Sequence, residues 1–197
     1  GVSPGKVVIL GGGVAGTNAA TIDTGMQAEV VVIDKSADRL AELSLIFNQT
    51  AKTLMASQDV ISHEVQNADL VIGSVLIPGA KTPKLIDREL LRSMVPGSVL
   101  VDVAIDQGGT FETSRPTTHD APTYLEEDIV HYCVTNMPGE VALTSTLALN
   151  NVTLPYVELL ATAVIKEAFK KVQGFSSGLN TYNGTIVHAT IAAEYGA

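Results

Sequence analysis

Short runs rich in Val, Ile and Leu recur along the first two-thirds of the chain, at Lys6–Leu10, Glu29–Ile33, Asp69–Ile77, Ser98–Val103 and Ile129–Val134. None alternates strictly between apolar and polar residues. That pattern predicts strands buried on both faces, as in the interior of a parallel sheet. Between the runs the period changes. Ser36 is placed to cap a helix that carries Leu40, Leu43, Ile46 and Phe47 on one side, a spacing that forms a core stripe. Small residues from Val14 to Thr24 predict an earlier helix with Gly25 as its C-cap. A short strand near Lys52–Leu54, a helix at Gln58–Gln66 and a helix at Asp87–Met94 complete the series, with Pro78 and Gly79 stopping the strand before the last of these. Strands alternating with helices at such intervals imply right-handed crossovers. The expected fold is α/β: a Rossmann-type, doubly wound, mainly parallel sheet with helices on both faces.

The last third is different. From Thr144 to Val172 the chain reads as largely helical, broken or bent at Pro155, with Leu159, Leu160, Ala163, Val164 and Phe169 on an apolar face and Lys166, Lys170 and Lys171 near its end. Leu179–Gly184 and the helix after it find no strand to pair with. That last stretch is expected to pack on something outside this chain or to cover the sheet edge, and the expected division is residues 1–143 as a nucleotide-binding domain and 144–197 as a helical C-terminal segment.

Composition narrows the options. Apolar residues make up 46% and charged residues 17% of the 197, which suits one substantial core. A net charge of −9 without basic clusters argues against nucleic acid or an anionic membrane as partner. No apolar run approaches the ~18 residues of a membrane helix. The single cysteine, Cys133, has no intramolecular disulfide partner and lies in an apolar run, so a reducing, cytoplasmic setting is expected. The chain enters its first strand after five residues, as a cut within a longer protein would.

The most informative stretch is Lys6-Val-Val-Ile-Leu-Gly-Gly-Gly-Val-Ala-Gly16, followed by Val-Val-Val-Ile-Asp34. Gly11, Gly13 and Gly16 have the G-x-G-x-x-G spacing. In a dinucleotide site the first glycine makes the tight turn, the second lets backbone approach a pyrophosphate, and the third lets helix pack on strand. The amides of Val14, Ala15 and Gly16 would open the helix toward the phosphates. Asp34 is placed to accept the hydroxyls of an adenosine ribose, and a carboxylate there disfavours the extra phosphate of NADP, although the neighbouring Lys35 works the other way. Arg39 has two readings, an adenine contact or an ordinary exposed helix arginine. A nucleotide-like methyl donor fits the same turn. Further on, Asp106 follows a strand end, where open α/β sheets bind ligands, and either serves a ligand or caps its turn. Asn136 and Met137 offer a donor, an acceptor and a soft apolar surface. His63, placed on a surface helix, and His119, His131 and His188 lack metal-ligand spacing, so no metal is expected.

Three further stretches, Val71–Leu85, Pro96–Gly109 and Thr117–Tyr124, together with Asn136-Met-Pro-Gly139, resemble the NAD-binding part of L-alanine dehydrogenase. The soluble subunits of proton-translocating transhydrogenases are similar in the glycine turn and the Leu76-Ile-Pro-Gly79 run. The resemblance implies NAD as cofactor and reversible oxidation of L-alanine to pyruvate and ammonium. It implies that Asp34 holds the ribose, Arg39 lies by the adenine, Val75 and Leu76 line the groove, and Ile105, Asn136 and Met137 flank the nicotinamide. Asp106 becomes the catalytic acid. A family hydroxyl near the adenine falls at Ala56 or Ser57. The resemblance further implies an N-terminal substrate domain not contained in this chain, a homo-hexameric parent, and a chain that binds NAD(H) without turning over alanine. The alternative is a non-catalytic NAD-binding module or a transhydrogenase-like hydride carrier.

Overall fold

A computed structural model describes residues 1–77, 81–162, 167–169, 172 and 174–195. The expected strand stop at Pro78–Gly79, and positions 163, 164, 166, 170 and 171 of the C-terminal helix, lie outside these residues. The chain divides into two compact units, Gly1–Thr135 and Asn136–Ala197. The division falls a few residues before 143/144, because the 3-10 turn Met137–Val141 runs directly into the helix beginning at Ala142.

In the first unit, strands β1 (Lys6–Leu10), β2 (Glu29–Asp34), β3 (Ala51–Met55), β4 (Leu70–Gly73), β5 (Val99–Asp102), β6 (Thr123–Glu126) and β7 (Ile129–Tyr132) form one sheet. Their order is β3-β2-β1-β4-β5-β7-β6, and β6 alone runs antiparallel, against β7. Helices α1 (Val14–Gly25), α2 (Ala37–Phe47), α3 (Gln58–Val65) and α4 (Arg88–Arg92) connect the strands. The order reverses between β1 and β4, and the crevice at such a reversal is where open α/β sheets take ligands.

Burial follows the pleat. Val8, Leu10, Val31 and Ile33 pack with Ile61, Val65, Leu90 and Leu91 on one face. Val7, Ile9, Val30 and Val32 pack with Ala20, Leu43 and Phe47 on the other. Both faces being covered explains why the strands read as continuous apolar runs. Ser36 caps α2 as expected, accepting from Arg39 N, but only Leu43 and Phe47 of its predicted stripe are fully buried, and Ile46 is exposed. Beneath α3, the Glu64 carboxylate is paired with Lys6 at 2.7 Å and Lys52 at 2.8 Å. Burial alone would raise its pKa; the two lysines overcome that and hold it at about 2.

Several elements differ from expectation. Gly25 is the last helical residue of α1 and not a left-handed cap; Gln27 takes the positive φ, 65°. β4 ends at Gly73 rather than Ile77, because Ser74 turns out of the sheet, its N–H to Leu10 O and its hydroxyl toward Gly11 O. β5 and β7 are shorter than their apolar runs. β6 has no apolar run to announce it: it is an edge strand with one face open.

In the second unit, helix α5 (Ala142–Thr162) runs unbroken through Pro155, where a break or a bend is expected. Proline removes one backbone donor, and the turns on both sides carry the helix across it. The stretch expected to lack a pairing partner folds on itself instead. Strands β8 (Thr181–Tyr182) and β9 (Thr185–Ile186) form a hairpin across Asn183 and Gly184, both at positive φ, the conformation that Asn-Gly favours in two-residue turns.

Candidate functional site

Each glycine of the turn after β1 has its own constraint. Gly11 sits at φ +100°, and a Cβ there would meet Val75 N at 2.9 Å. At Gly16 a Cβ would lie 2.0 Å from Gly11 O and 2.7 Å from Ser74 Oγ. At Gly13 a Cβ would meet nothing within 4 Å. The first and third glycines are thus demanded by the protein itself, whereas the second borders open space. That space is the groove.

The groove has a volume of about 740 Å³ and lies at the reversal between β1 and β4. Gly11, Gly13, Val14 and Ala15 form its floor; Asp34, Lys35 and Ala56 close one end; Val75 and Leu76 form a wall; Val103 and Ala104 stand at the other end. The first bond of α1 is Thr17 N–H to Gly13 O at 2.9 Å, so the amides of Val14, Ala15 and Gly16 precede the helical ladder and concentrate positive potential there. No acidic residue occupies that first turn. The arrangement suits a diphosphate between two apolar slots.

Asp34 ties the site together. Its Oδ2 accepts Gly12 N–H at 2.7 Å and its Oδ1 accepts Ser36 N–H at 2.8 Å. A carboxylate has about four acceptor positions, so capacity remains for hydroxyls arriving from the groove. Arg39 reaches the same turn from outside the groove lining: Nε donates to Gly12 O, and the two terminal nitrogens meet Glu42 and Thr17 Oγ1, each at 2.7 Å. The edges of its guanidinium brace the glycine turn, and 29% of the side chain remains exposed.

The remaining candidates separate. Ser57 caps α3 by accepting from Val60 N, and Ala56 lines the groove in its place. Ile105 is 4% exposed and turned away from the groove lining, which uses Val103 and Ala104; the 3-10 turn Ile105–Gln107 rotates the chain out of strand geometry there. Asp106 is exposed on that turn, not buried. Asn136, at φ +57°, is exposed and opens the second unit, with Met137 half-buried beside it.

Sequence reasoning overlooked the acid that builds the far end. Asp102 is 0% exposed at the end of β5 and accepts Ala104 N–H at 3.1 Å, Thr110 N–H at 2.7 Å and the Ser114 hydroxyl at 2.5 Å. A charged residue inside Val-Leu-Val-Asp-Val was the available signal, since such an acid is stable only when fully hydrogen-bonded. His131 is 0% exposed and stacked on Tyr124 at 4.9 Å. Its Nδ1 donates to Ile129 O and its Nε2 is paired with Thr113 Oγ1, and burial, which disfavours the charged ring, lowers its pKa. Cys133 is buried as expected. Among the described residues no cluster of three or more His, Cys, Asp or Glu could hold a metal ion, and no helix is long and apolar enough to cross a membrane.

A glycine turn, a helix N-terminus and an acid at the end of the second strand, all on one groove at a sheet reversal, define a Rossmann-type dinucleotide-binding unit. Comparison with known proteins makes this particular. Residues 1–189 match the family "Alanine dehydrogenase/PNT, C-terminal domain", and the chain belongs to that family, whose dinucleotide is NAD(H). It is 52% identical over 197 residues to an alanine dehydrogenase of Staphylococcus haemolyticus, covering 100% of this chain and 53% of that protein. A solved L-alanine dehydrogenase is 45% identical with a TM-score of 0.87, over 98% of this chain and 53% of the other. A transhydrogenase structure from Sinorhizobium meliloti is 26% identical with a TM-score of 0.75, over 96% and 51%. The chain spans about half the length of these relatives.

Proposed function

We propose that this chain is the NAD(H)-binding half of an alanine dehydrogenase, whose whole protein converts L-alanine, NAD⁺ and water to pyruvate, ammonium, NADH and a proton. The observation that carries the reading is the single groove running from Asp34, past the N-terminus of α1, to Val103 and Ala104. In this reading NAD⁺, when bound, accepts the hydride from the substrate carbon. Asp34 accepts the ribose hydroxyls while holding Gly12, and Lys35 faces the same end of the groove. The amides of Val14, Ala15 and Gly16 take the pyrophosphate, and Gly13 leaves room for it. Val75 and Leu76 exclude water along the groove wall. Asp106, on its exposed turn, is the catalytic acid that orients the attacking water.

The substrate pair, a cytoplasmic location and a homo-hexameric parent come to this chain by the same reading. Family members at twice its length supply the support for a substrate-binding half beyond these residues. The transhydrogenase likeness keeps a second reading open, a hydride-carrying domain that works against a partner.

Titrating the chain with NADH and with NADPH tests the cofactor role. Tight NADH binding with at least tenfold weaker NADPH is expected; equal affinities would remove the role given to Asp34. Alanine-dependent NADH formation by the chain alone is expected to be absent, and clear turnover would refute the division of labour between halves.

A further inference from the structure

The Asp106 turn is gripped from two sides by opposite charges. Asp102 takes backbone N–H groups at both ends of the loop, from Ala104 and Thr110. Lys84 takes carbonyls: its Nζ donates to Gly108 O at 2.5 Å, Gly109 O at 2.9 Å and Phe111 O at 2.9 Å. Those three bonds use every proton of the ammonium. Its own segment runs alongside the loop, with Thr82 N–H to Gln107 O at 3.0 Å and Leu85 N–H to Thr110 O at 2.8 Å. The residues flanking Lys84, Pro83 and Leu85, line the cofactor groove. One short segment therefore touches the groove with its neighbours and the Asp106 loop with its charge.

The loop fits closely against Asp102. Gly108 and Gly109 lie at φ +92° and +78°, and a Cβ on Gly109 would meet Asp102 Oδ2 at 2.7 Å. At the same seam Thr82 Oγ1, Gln107 Oε1 and Thr110 Oγ1 are buried without a hydrogen-bond partner. Buried polar atoms are normally satisfied, and the protein itself leaves these three unpaired where the Lys84 segment meets the loop.

We propose that Lys84 is a positioning residue that couples occupancy of the groove to the placement of Asp106. The inference rests on the cofactor reading above. A ligand pressing on Pro83 and Leu85 fixes the segment, Lys84 transmits this to the carbonyls of Gly108, Gly109 and Phe111, and Asp106 is held where its carboxylate acts. By linkage, a loop held by Lys84 also favours the ligand-competent wall.

The test is amide hydrogen exchange of peptides covering residues 103–111, with and without NADH, in the wild-type chain and in Lys84→Met and Lys84→Arg. NADH is expected to slow exchange of the wild-type loop severalfold. Lys84→Met should speed exchange of the unliganded loop by roughly tenfold and abolish the NADH response there, with NADH affinity reduced only a few-fold and the thermal midpoint of the chain little changed. Lys84→Arg keeps the charge but not a point donor to three converging carbonyls, so it should fall between; it carries the comparison if Lys84→Met does not fold. A loop that responds to NADH as fully in the variants as in the wild type overturns the coupling alone. Failure of the wild-type chain to bind NADH overturns the cofactor reading and the coupling together.

Discussion

Alanine at Gly13 and alanine at Gly16 should fail in opposite ways, although both lie in one turn. At Gly16 the new methyl would sit 2.0 Å from Gly11 O and 2.7 Å from Ser74 Oγ. Both contacts are far inside van der Waals range, and the carbonyl also accepts the Ser74 hydroxyl at 2.7 Å. Relief requires α1 to move off β1, at an overpacking cost of about 1–3 kcal/mol or more. At Gly13 φ is −66° and ψ −163°, which alanine adopts freely, and nothing lies within 4 Å of its Cβ. Reduced freedom of the unfolded chain stabilises the variant by about 0.4–1 kcal/mol, and the poorer helix cap offsets a similar amount. The net change in stability is near zero. The methyl instead fills the space where backbone would approach a diphosphate, removing one or two charge-assisted bonds worth about 1.5–3 kcal/mol each. NADH affinity should fall by roughly ten- to ten-thousandfold. Thermal unfolding followed by circular dichroism, alongside NADH fluorescence titration, separates the two quantities. A Gly13→Ala chain of normal stability that binds NADH within threefold of wild type would refute the placement of the pyrophosphate on this turn.

Asp34→Asn should reduce the preference for NADH over NADPH by at least tenfold, measured as a ratio of dissociation constants. It should also lower stability by about 1–2 kcal/mol, because the amide NH₂ must face a donor that the carboxylate now accepts from, Gly12 or Ser36. Glu64 has its carboxyl pKa lowered to about 2 by Lys52 and Lys6 against the opposing effect of burial. Its contribution is therefore complete above pH 4.5 and is lost as the pH falls toward 2; with solvent screening at the half-exposed Lys52 it amounts to about 1–2 kcal/mol, and Glu64→Gln should flatten the acid limb of a pH–stability curve. His131 has its pKa lowered by burial, so the unfolded chain takes up its proton first. Stability should begin to fall below about pH 6.5, and ¹⁵N-detected titration should find the ring still neutral there.

How far the sequence carried the reading depended on the range of the forces involved. Strands buried on both faces announce themselves residue by residue, and Lys6–Leu10 and Glu29–Asp34 fell where the apolar runs put them. Caps are equally local: Ser36 at α2 and Asp87 at α4 bond their own third residue onward. The edge strand β6 was invisible because its covered face is only half-buried and carries Tyr124 and Glu126 in place of an apolar run, and the β8–β9 hairpin was passed over although Asn183-Gly184 carried its signal. At the site, Gly11, Gly13, Val14, Ala15, Asp34, Lys35, Val75 and Leu76 line one groove because a fixed local motif and the sheet order bring them together. Ile105 and Ser57 did not join them, since a one-residue rotation of a turn changes which side chain faces the groove.

The acids Asp102 and Asp106 show why the far end of the groove resisted sequence reasoning. Only four residues apart, they have opposite surroundings: Asp102 is 0% exposed and spends its oxygens on Ala104, Thr110 and Ser114, while Asp106 is exposed. Reaction chemistry needs a carboxylate with free acceptor positions, and such a group on a flexible turn would wander. The buried acid and the Lys84 ammonium resolve this by fixing the backbone on either side through its own N–H and C=O groups, leaving the Asp106 side chain uncommitted. Apart from the Ser114 hydroxyl, these bonds involve no pairing that spacing along the chain could reveal, because each joins a side chain to the backbone of a loop whose sequence is indifferent to it. Residues that fix a loop this way are recognised from three dimensions, and if Asp106 has the role proposed for it, Lys84 and Asp102 are where substitutions should change its placement without touching it.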